Sequence, residues 1–236
     1  MSNPFSFYWN GWDSYDMNIS IIKRHNPPVP KRRYKETTID GRDGTFYEDL
    51  KTYDDVPIEL SINFKAKKAD SFEETFDEIK TWLLFYEDNS LTFSDNDFYY
   101  KVKKVEIENI ERVKKVIGKF TIKFTCEAFK FDNYNTGKRT LTTRFDNPYS
   151  LEAYPIYEIV GNGLCSITCN EEPVTIKVSG KAVIDTDLKL CFNSNGEYIN
   201  ANMTGEYEVL YLQSGVNSFS WTSGFTIYIK KNLRTI

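Results

Sequence analysis

The chain has 236 residues, 40% of them hydrophobic and 27% charged, which suits one large or two ordinary globular domains with packed cores. A net charge of −4 argues against a nucleic-acid binder, which needs a basic stripe to neutralise phosphates. The opening Met1-Ser2-Asn3-Pro4-Phe5-Ser6 lacks the basic and apolar stretches of a signal peptide, and no apolar run approaches the ~20 residues that span a membrane, so neither classical export nor a membrane is expected.

In chain order, a short early strand around Gly11-Trp12 is followed by the stiff segment Pro27-Pro28-Val29-Pro30 and the basic run Lys31-Arg32-Arg33, read as a solvated loop. Gly41-Arg42-Asp43-Gly44 has tight-turn chemistry. Ile58 to Phe64 alternates apolar with polar residues, the period of a half-buried strand. The spacing of Phe72, Phe76, Ile79, Leu83 and Tyr86, at steps of three and four, predicts one helix over Ser71–Tyr86, widened by Trp82 and capped by Asp70 or Ser71. Tyr99–Glu108 and Lys119–Phe131 read as a long hairpin arm around a charged loop, Glu111–Lys115.

Asp132 to Gly137 and Asn147-Pro148 mark a boundary. We place an N-terminal domain at residues 1–135 and a C-terminal domain at 136–236. In the second, strands are predicted at Pro155–Val160, Leu164–Cys169, Val174–Val178, Lys181–Ile184, Leu188–Phe192, Glu206–Leu212, Ser218–Thr222 and Phe225–Lys230. Gly161-Asn162-Gly163, Ser194-Asn195-Gly196 and Gly215-Val216-Asn217 are read as turns between them. The fold class is mainly β: an α+β N-terminal domain with one helix, then an all-β sandwich.

The residues carry little chemistry. The single histidine, His25, stands before the proline run, with no nucleophile or orienting acid indicated by spacing. Cys126, Cys165, Cys169 and Cys191 form no Cys-x-x-Cys pair and are expected to be free, reduced and mostly buried. Gly161-x-Gly163 lacks the third glycine of a dinucleotide fingerprint, and Asn193-Ser194-Asn195-Gly196 lacks the acids of a calcium loop. No catalytic, cofactor-binding or metal-binding residue is assigned, no cofactor is expected, and the chain reads as a scaffold rather than an enzyme. A second reading makes the C-terminal sandwich a carbohydrate-binding module for host cell-wall sugars, stacking them on Tyr198, Tyr207, Tyr211 and Trp221, although Trp221 also fits a core position on an alternating strand.

The order of these segments resembles the distal tail protein (Dit) family of long-tailed, non-contractile phages and related tail-like particles. The resemblance rests on Gly11-Trp12, Pro27 to Arg33, the turn Ile39-Asp40-Gly41-Arg42-Asp43-Gly44-Thr45, the helix with Trp82, and Leu91-Thr92-Phe93-Ser94-Asp95 with Tyr99-Tyr100-Lys101-Val102. It continues through Ala153-Tyr154-Pro155 to Gly163, Val183-Ile184-Asp185 and Gly215-Val216-Asn217 to Trp221. It implies a structural virion protein of the baseplate, made in the host bacterial cytoplasm and placed at the tail tip. It further implies a homo-hexameric ring of N-terminal domains bearing galectin-like C-terminal sandwiches. That ring would join the tail tube protein to the tail-associated fibre or lysin protein and serve host adhesion by anchoring receptor-binding proteins. The Tyr99–Phe131 arm is the expected inter-subunit element.

Overall fold

The computed structural model describes residues 5–134 and 136–236; Met1–Pro4, read above for a leader, and Asn135, the expected last residue of the first domain, lie outside them. The chain forms two compact units, one running to Lys130 and the other spanning Phe131–Thr235. Each has its own apolar core.

In the first unit, β1 (Phe7–Trp9) turns through Asn10-Gly11 into β2 (Trp12–Asp13), and β3 (Ile19–Lys23) follows. Next come β4 (Arg32–Thr38), β5 (Thr45–Tyr53) and β6 (Val56–Lys65). A 3-10 turn leads into α1 (Phe72–Leu84), then β7 (Ser90–Phe93), β8 (Phe98–Lys114) and β9 (Ile117–Asp132). The main sheet runs in the order β2-β1-β7-β8-β9-β6-β3. Strand β6 lies antiparallel to β9 from Val56↔Cys126 to Lys65↔Ile117. Its alternation therefore puts Val56, Ile58, Leu60, Ile62 and Phe64 on one buried face. Helix α1 covers that face with Phe72, Phe76, Ile79, Trp82 and Leu83. Phe64 meets Phe72, Phe76 and Phe120 at centroid distances of 5.1, 5.4 and 5.9 Å. The helix stops two residues short of the predicted Tyr86, which instead packs its ring 4.8 Å from that of Trp9. Ser71 is the N-cap, but its hydroxyl turns back to the Lys68 carbonyl rather than to the helix N–H groups.

Residues 111–115, read as a charged loop, are mostly strand: β8 runs on to Lys114 and β9 begins at Ile117. The reason is cross-strand pairing, which sequence charge does not report. The tip also has a partner in its own unit, since Arg112 lies 4.1 Å over the Phe72 ring and donates to the Lys115 carbonyl at 2.8 Å.

The second unit holds β10 (Arg139–Thr140), β11 (Arg144–Asn147), β12 (Ile156–Cys169), β13 (Glu172–Asp185), β14 (Leu190–Asn193), β15 (Met203–Thr204), β16 (Gly215–Trp221), β17 (Thr226–Lys230) and β18 (Arg234–Thr235). One sheet runs β10-β17-β12-β13-β14, with β16 bridging β11 and β12. Four predicted strands are really two. Strand β12 passes straight through Gly161-Asn162-Gly163, which pair with Gly180, Ser179 and Val178 of β13. Before the glycines β12 pairs with β17, and from Ile167 it pairs with β16, so one long bent hairpin serves both halves of the sandwich. A bend rather than a turn forms because the Phe225 ring crosses Gly161, where an added Cβ would lie 2.4 Å from it. Glu206–Leu212, read as a strand, contains a 3-10 turn over Tyr207–Leu210 instead. The buried Tyr157 hydroxyl donates to the Leu210 carbonyl at 2.7 Å and satisfies it without a ladder. Gly215-Val216-Asn217 opens β16, whereas Ser194-Asn195-Gly196 forms the expected turn, held by Asn193 Oδ1 accepting from the Asn195 and Glu197 N–H groups.

Candidate functional site

No group of three or more His, Cys, Asp or Glu side chains among the described residues is placed to hold a metal. His25 packs its ring 4.1 Å from Phe93 and 6.5 Å from Phe5, with Arg24 beside it bonded to Asp95 at 2.9 Å. Burial lowers its pKa, and its Nδ1 has no hydrogen-bond partner. The ring packs on Phe93. All four cysteines are free and buried, and burial raises the thiol pKa of Cys126 to about 12 and those of Cys165 and Cys169 to about 11. Such thiols are poor nucleophiles.

The four aromatics assigned to sugar stacking do not form a platform. Tyr207 turns its hydroxyl to Cys191 Sγ at 3.4 Å, and Tyr211 packs 4.4 Å from Tyr154. Trp221 is half-buried against the core. Tyr198 keeps an open ring, 71% exposed beside Phe192.

The unusual surfaces are in the first unit. Strands β4 and β5 pair with each other in a separate two-stranded ribbon, joined by the turn at Gly41 and Gly44, whose φ angles are +77° and +79°. Every residue of both strands is exposed save Tyr53, which is half-buried. Tyr34, Phe46, Tyr47 and Leu50 therefore stand in solvent, with Tyr34 and Tyr47 edge-on at 6.3 Å. Ion pairs lace the ribbon: Arg32 with Asp49 at 2.6 Å, Arg33 with Asp54 at 3.5 Å and Lys35 with Glu48 at 3.6 Å. The Lys31-Arg32-Arg33 run is thus the root of a strand, not a loop. At that root the Asp54 N–H donates to the Lys31 carbonyl at 2.9 Å, and Tyr53 packs edge-on to Phe129 at 5.4 Å. An isolated two-stranded hairpin is at best marginally stable in water. A ribbon with no core beneath it and aromatics on its surface is built for contact with something else.

The second surface is a groove of about 840 Å3 where the β1–β2 turn meets the end of α1. Asn10, in a left-handed conformation with φ +44°, donates its amide to the carbonyls of Trp82 at 3.2 Å and Phe85 at 3.0 Å. That bond pair ties turn to helix, and Trp12 and Phe85 line the same groove. Both rings are open to solvent, Trp12 at 58% and Phe85 at 77% exposure. Glu74, Asp77 and Glu78 line the same groove along the helix. Sequence periodicity located the helix, but only the fold shows that the two aromatics line one groove.

Comparison with known proteins agrees with this architecture. Residues 4–128 match the family described as phage tail protein N-terminal domain. Over 98% of this chain and 99% of the other, the fold is similar to the Dit protein of phage SPP1, described as a paradigm of the hub adsorption apparatus in phages infecting Gram-positive bacteria, with a TM-score of 0.71 and 14% identity. It is also similar to a chain of the phage P2 baseplate in its activated conformation with calcium, at a TM-score of 0.50 and 10% identity over 97% of this chain and 98% of that one. The same baseplate with strontium gives a TM-score of 0.51 and 9% identity over 95% and 96%. No curated protein matches. The match covers more than half of the residues, and the chain belongs to the family of phage tail proteins defined by this N-terminal domain.

Proposed function

We propose that this phage tail protein is the non-catalytic hub of the tail tip: a homo-hexameric ring, built by the N-terminal unit, that joins the tail tube protein to the tail-associated fibre or lysin protein and to receptor-binding proteins. In this reading the protein is made in the bacterial cytoplasm and resides in the virion baseplate. The observation that carries it is the coreless β4–β5 ribbon, which needs a neighbour to bury Tyr34, Phe46 and Tyr47. The likeness of the whole chain to a hub protein of a phage adsorption apparatus supports it. The two-unit layout supports it as well, since the second unit has its own core and is left free for other tail components. The sugar-binding alternative finds no facing aromatics to favour it.

The test is the solution mass by light scattering, with negative-stain images of the same sample. A mass six times the 27.6 kDa of one chain, with six-fold rings around a hole, is the expected result. A strict monomer that also fails to form rings when co-expressed with its tail tube protein would sink the reading.

A further inference from the structure

We propose that the groove beside α1 takes a lysine- or arginine-bearing segment of another protein, its cations seated on the Trp12 and Phe85 rings and beside the carboxylates of the helix. The inference goes beyond the hub reading and does not depend on how many copies assemble. Trp12 and Phe85 line the groove together with Glu74, Asp77 and Glu78. A cation over an aromatic face is held by the ring quadrupole, most strongly by that of Trp, and a nearby carboxylate adds direct attraction. A groove that offers both suits Lys or Arg better than an anion or a purely apolar chain.

Elsewhere the fold uses the same chemistry and covers its own rings. Arg24 lies 4.1 Å over Phe5, Arg112 lies 4.1 Å over Phe72, and Lys231 lies 3.5 Å over Phe145. Among the described residues no cation lies over Trp12 or Phe85, and neither Glu74 nor Glu78 has an ion-pair partner. Asp77 is already paired with Lys80 at 2.5 Å, so Glu74 and Glu78 are the carboxylates left to an occupant. The rim is also held in shape before anything binds. Asn10 donates to the Trp82 and Phe85 carbonyls and accepts from the Glu87 N–H, and the Trp82 indole N–H donates to the Trp9 carbonyl at 2.9 Å. A surface ordered in advance loses less freedom on binding. The occupant belongs to another protein rather than to a second copy because this chain carries a net charge of −4, so two copies repel while a basic segment is drawn in.

The probe is a blocked peptide of alternating lysine and glycine, titrated into the full-length protein by calorimetry. Its arginine and glutamate counterparts and a neutral cello-oligosaccharide are run beside it. The lysine and arginine peptides are expected to bind, more weakly as salt rises, and the glutamate peptide not to bind. Glu74→Gln with Glu78→Gln, and separately Trp12→Ser with Phe85→Ser, alter only exposed side chains. Each pair is expected to weaken binding about ten-fold. Glu171→Gln with Glu172→Gln removes the same charge from an exposed turn of the second unit and is expected to change nothing.

If either groove pair binds like the unaltered protein, or if the control loses as much as the Glu74 and Glu78 pair, the peptide is held by net charge alone and the proposal falls. Failure of both cationic peptides to bind overturns it as well. Binding of the oligosaccharide alone, lost with the two rings, overturns it in favour of a sugar site. A changed solution mass of the Glu74→Gln, Glu78→Gln protein gives the groove to a second copy and likewise overturns it. The hub reading stands apart from these outcomes, since it is decided by the mass and images of the unaltered protein.

Discussion

The His25 ring stacks on Phe93, with Phe5 farther off, and its pKa is held below the ordinary value of 6.5 by burial. Asp95 opposes that shift and Arg24 adds to it. Because the unfolded chain binds the proton more readily, this residue costs the native state nothing above about pH 6.5 and destabilises it progressively as pH falls below that value. Melting temperature measured between about pH 5 and pH 8 is expected to drop on the acid side, and His25→Phe to flatten that part of the slope. Gly161 is a second residue whose identity the structure explains. An alanine there would place Cβ 2.4 Å from the Phe225 ring at a φ of +155°, so Gly161→Ala is expected to cost about 1–3 kcal/mol of stability. Adding Phe225→Leu should return part of that loss in a double-mutant cycle; a purely additive cycle would show that the ring is not the obstacle.

The helix α1 was legible because its apolar residues recur at 3.6-residue spacing, and its buried face is the one that periodicity marked. Its C-terminal end was not legible. There the last carbonyls are met by Asn10, 72 residues before Trp82 in sequence. Asn10→Gly keeps the left-handed turn and removes these two bonds together with the longer one that Asn10 Oδ1 accepts from the Glu87 N–H at 3.4 Å, and is expected to destabilise the first unit by about 1 kcal/mol in chemical denaturation. The glycines of β12 misled in the opposite way. A glycine marks either a turn or a bend in a strand, and the choice depends on what packs across it, here Phe225. The ribbon shows the same limit. Its turn at Gly41-Arg42-Asp43-Gly44 could be read from the residues, but the absence of a core beneath its strands could not, since exposed tyrosines and buried ones have the same letters.

At the scale of the molecule, the sequence placed the division after residue 135, and the contacts divide the chain after Lys130. Each unit has its own core, and the buried thiols report on them separately: Cys126 belongs to the first core, and Cys165, Cys169 and Cys191 to the second. Phe76→Ala should remove about 3–5 kcal/mol from the first unit by emptying the space between α1 and the Phe64 and Phe120 rings. Titration with a thiol reagent across a denaturant series is then expected to show Cys126 reacting earlier than in the unaltered protein, with the other three unchanged. A simultaneous advance of all four would mean that the units unfold as one.

By itself the sequence determined the mainly β class, the one helix, the strand β6 and the order of motifs shared with distal tail proteins, because these depend on local periodicity and turn chemistry. Only the tertiary structure decided that four of the predicted strands in the second unit are the two strands of one bent hairpin, that the charged tip of β8 is strand, and that the first unit carries both a ribbon with open aromatics and an acidic aromatic groove.

 The hairpin is β12 with β13, formed from four predicted strands. The physical reason is the same in each case: whether a residue is paired, covered or left open depends on partners distant in the chain, and local spacing does not encode which distant surface arrives.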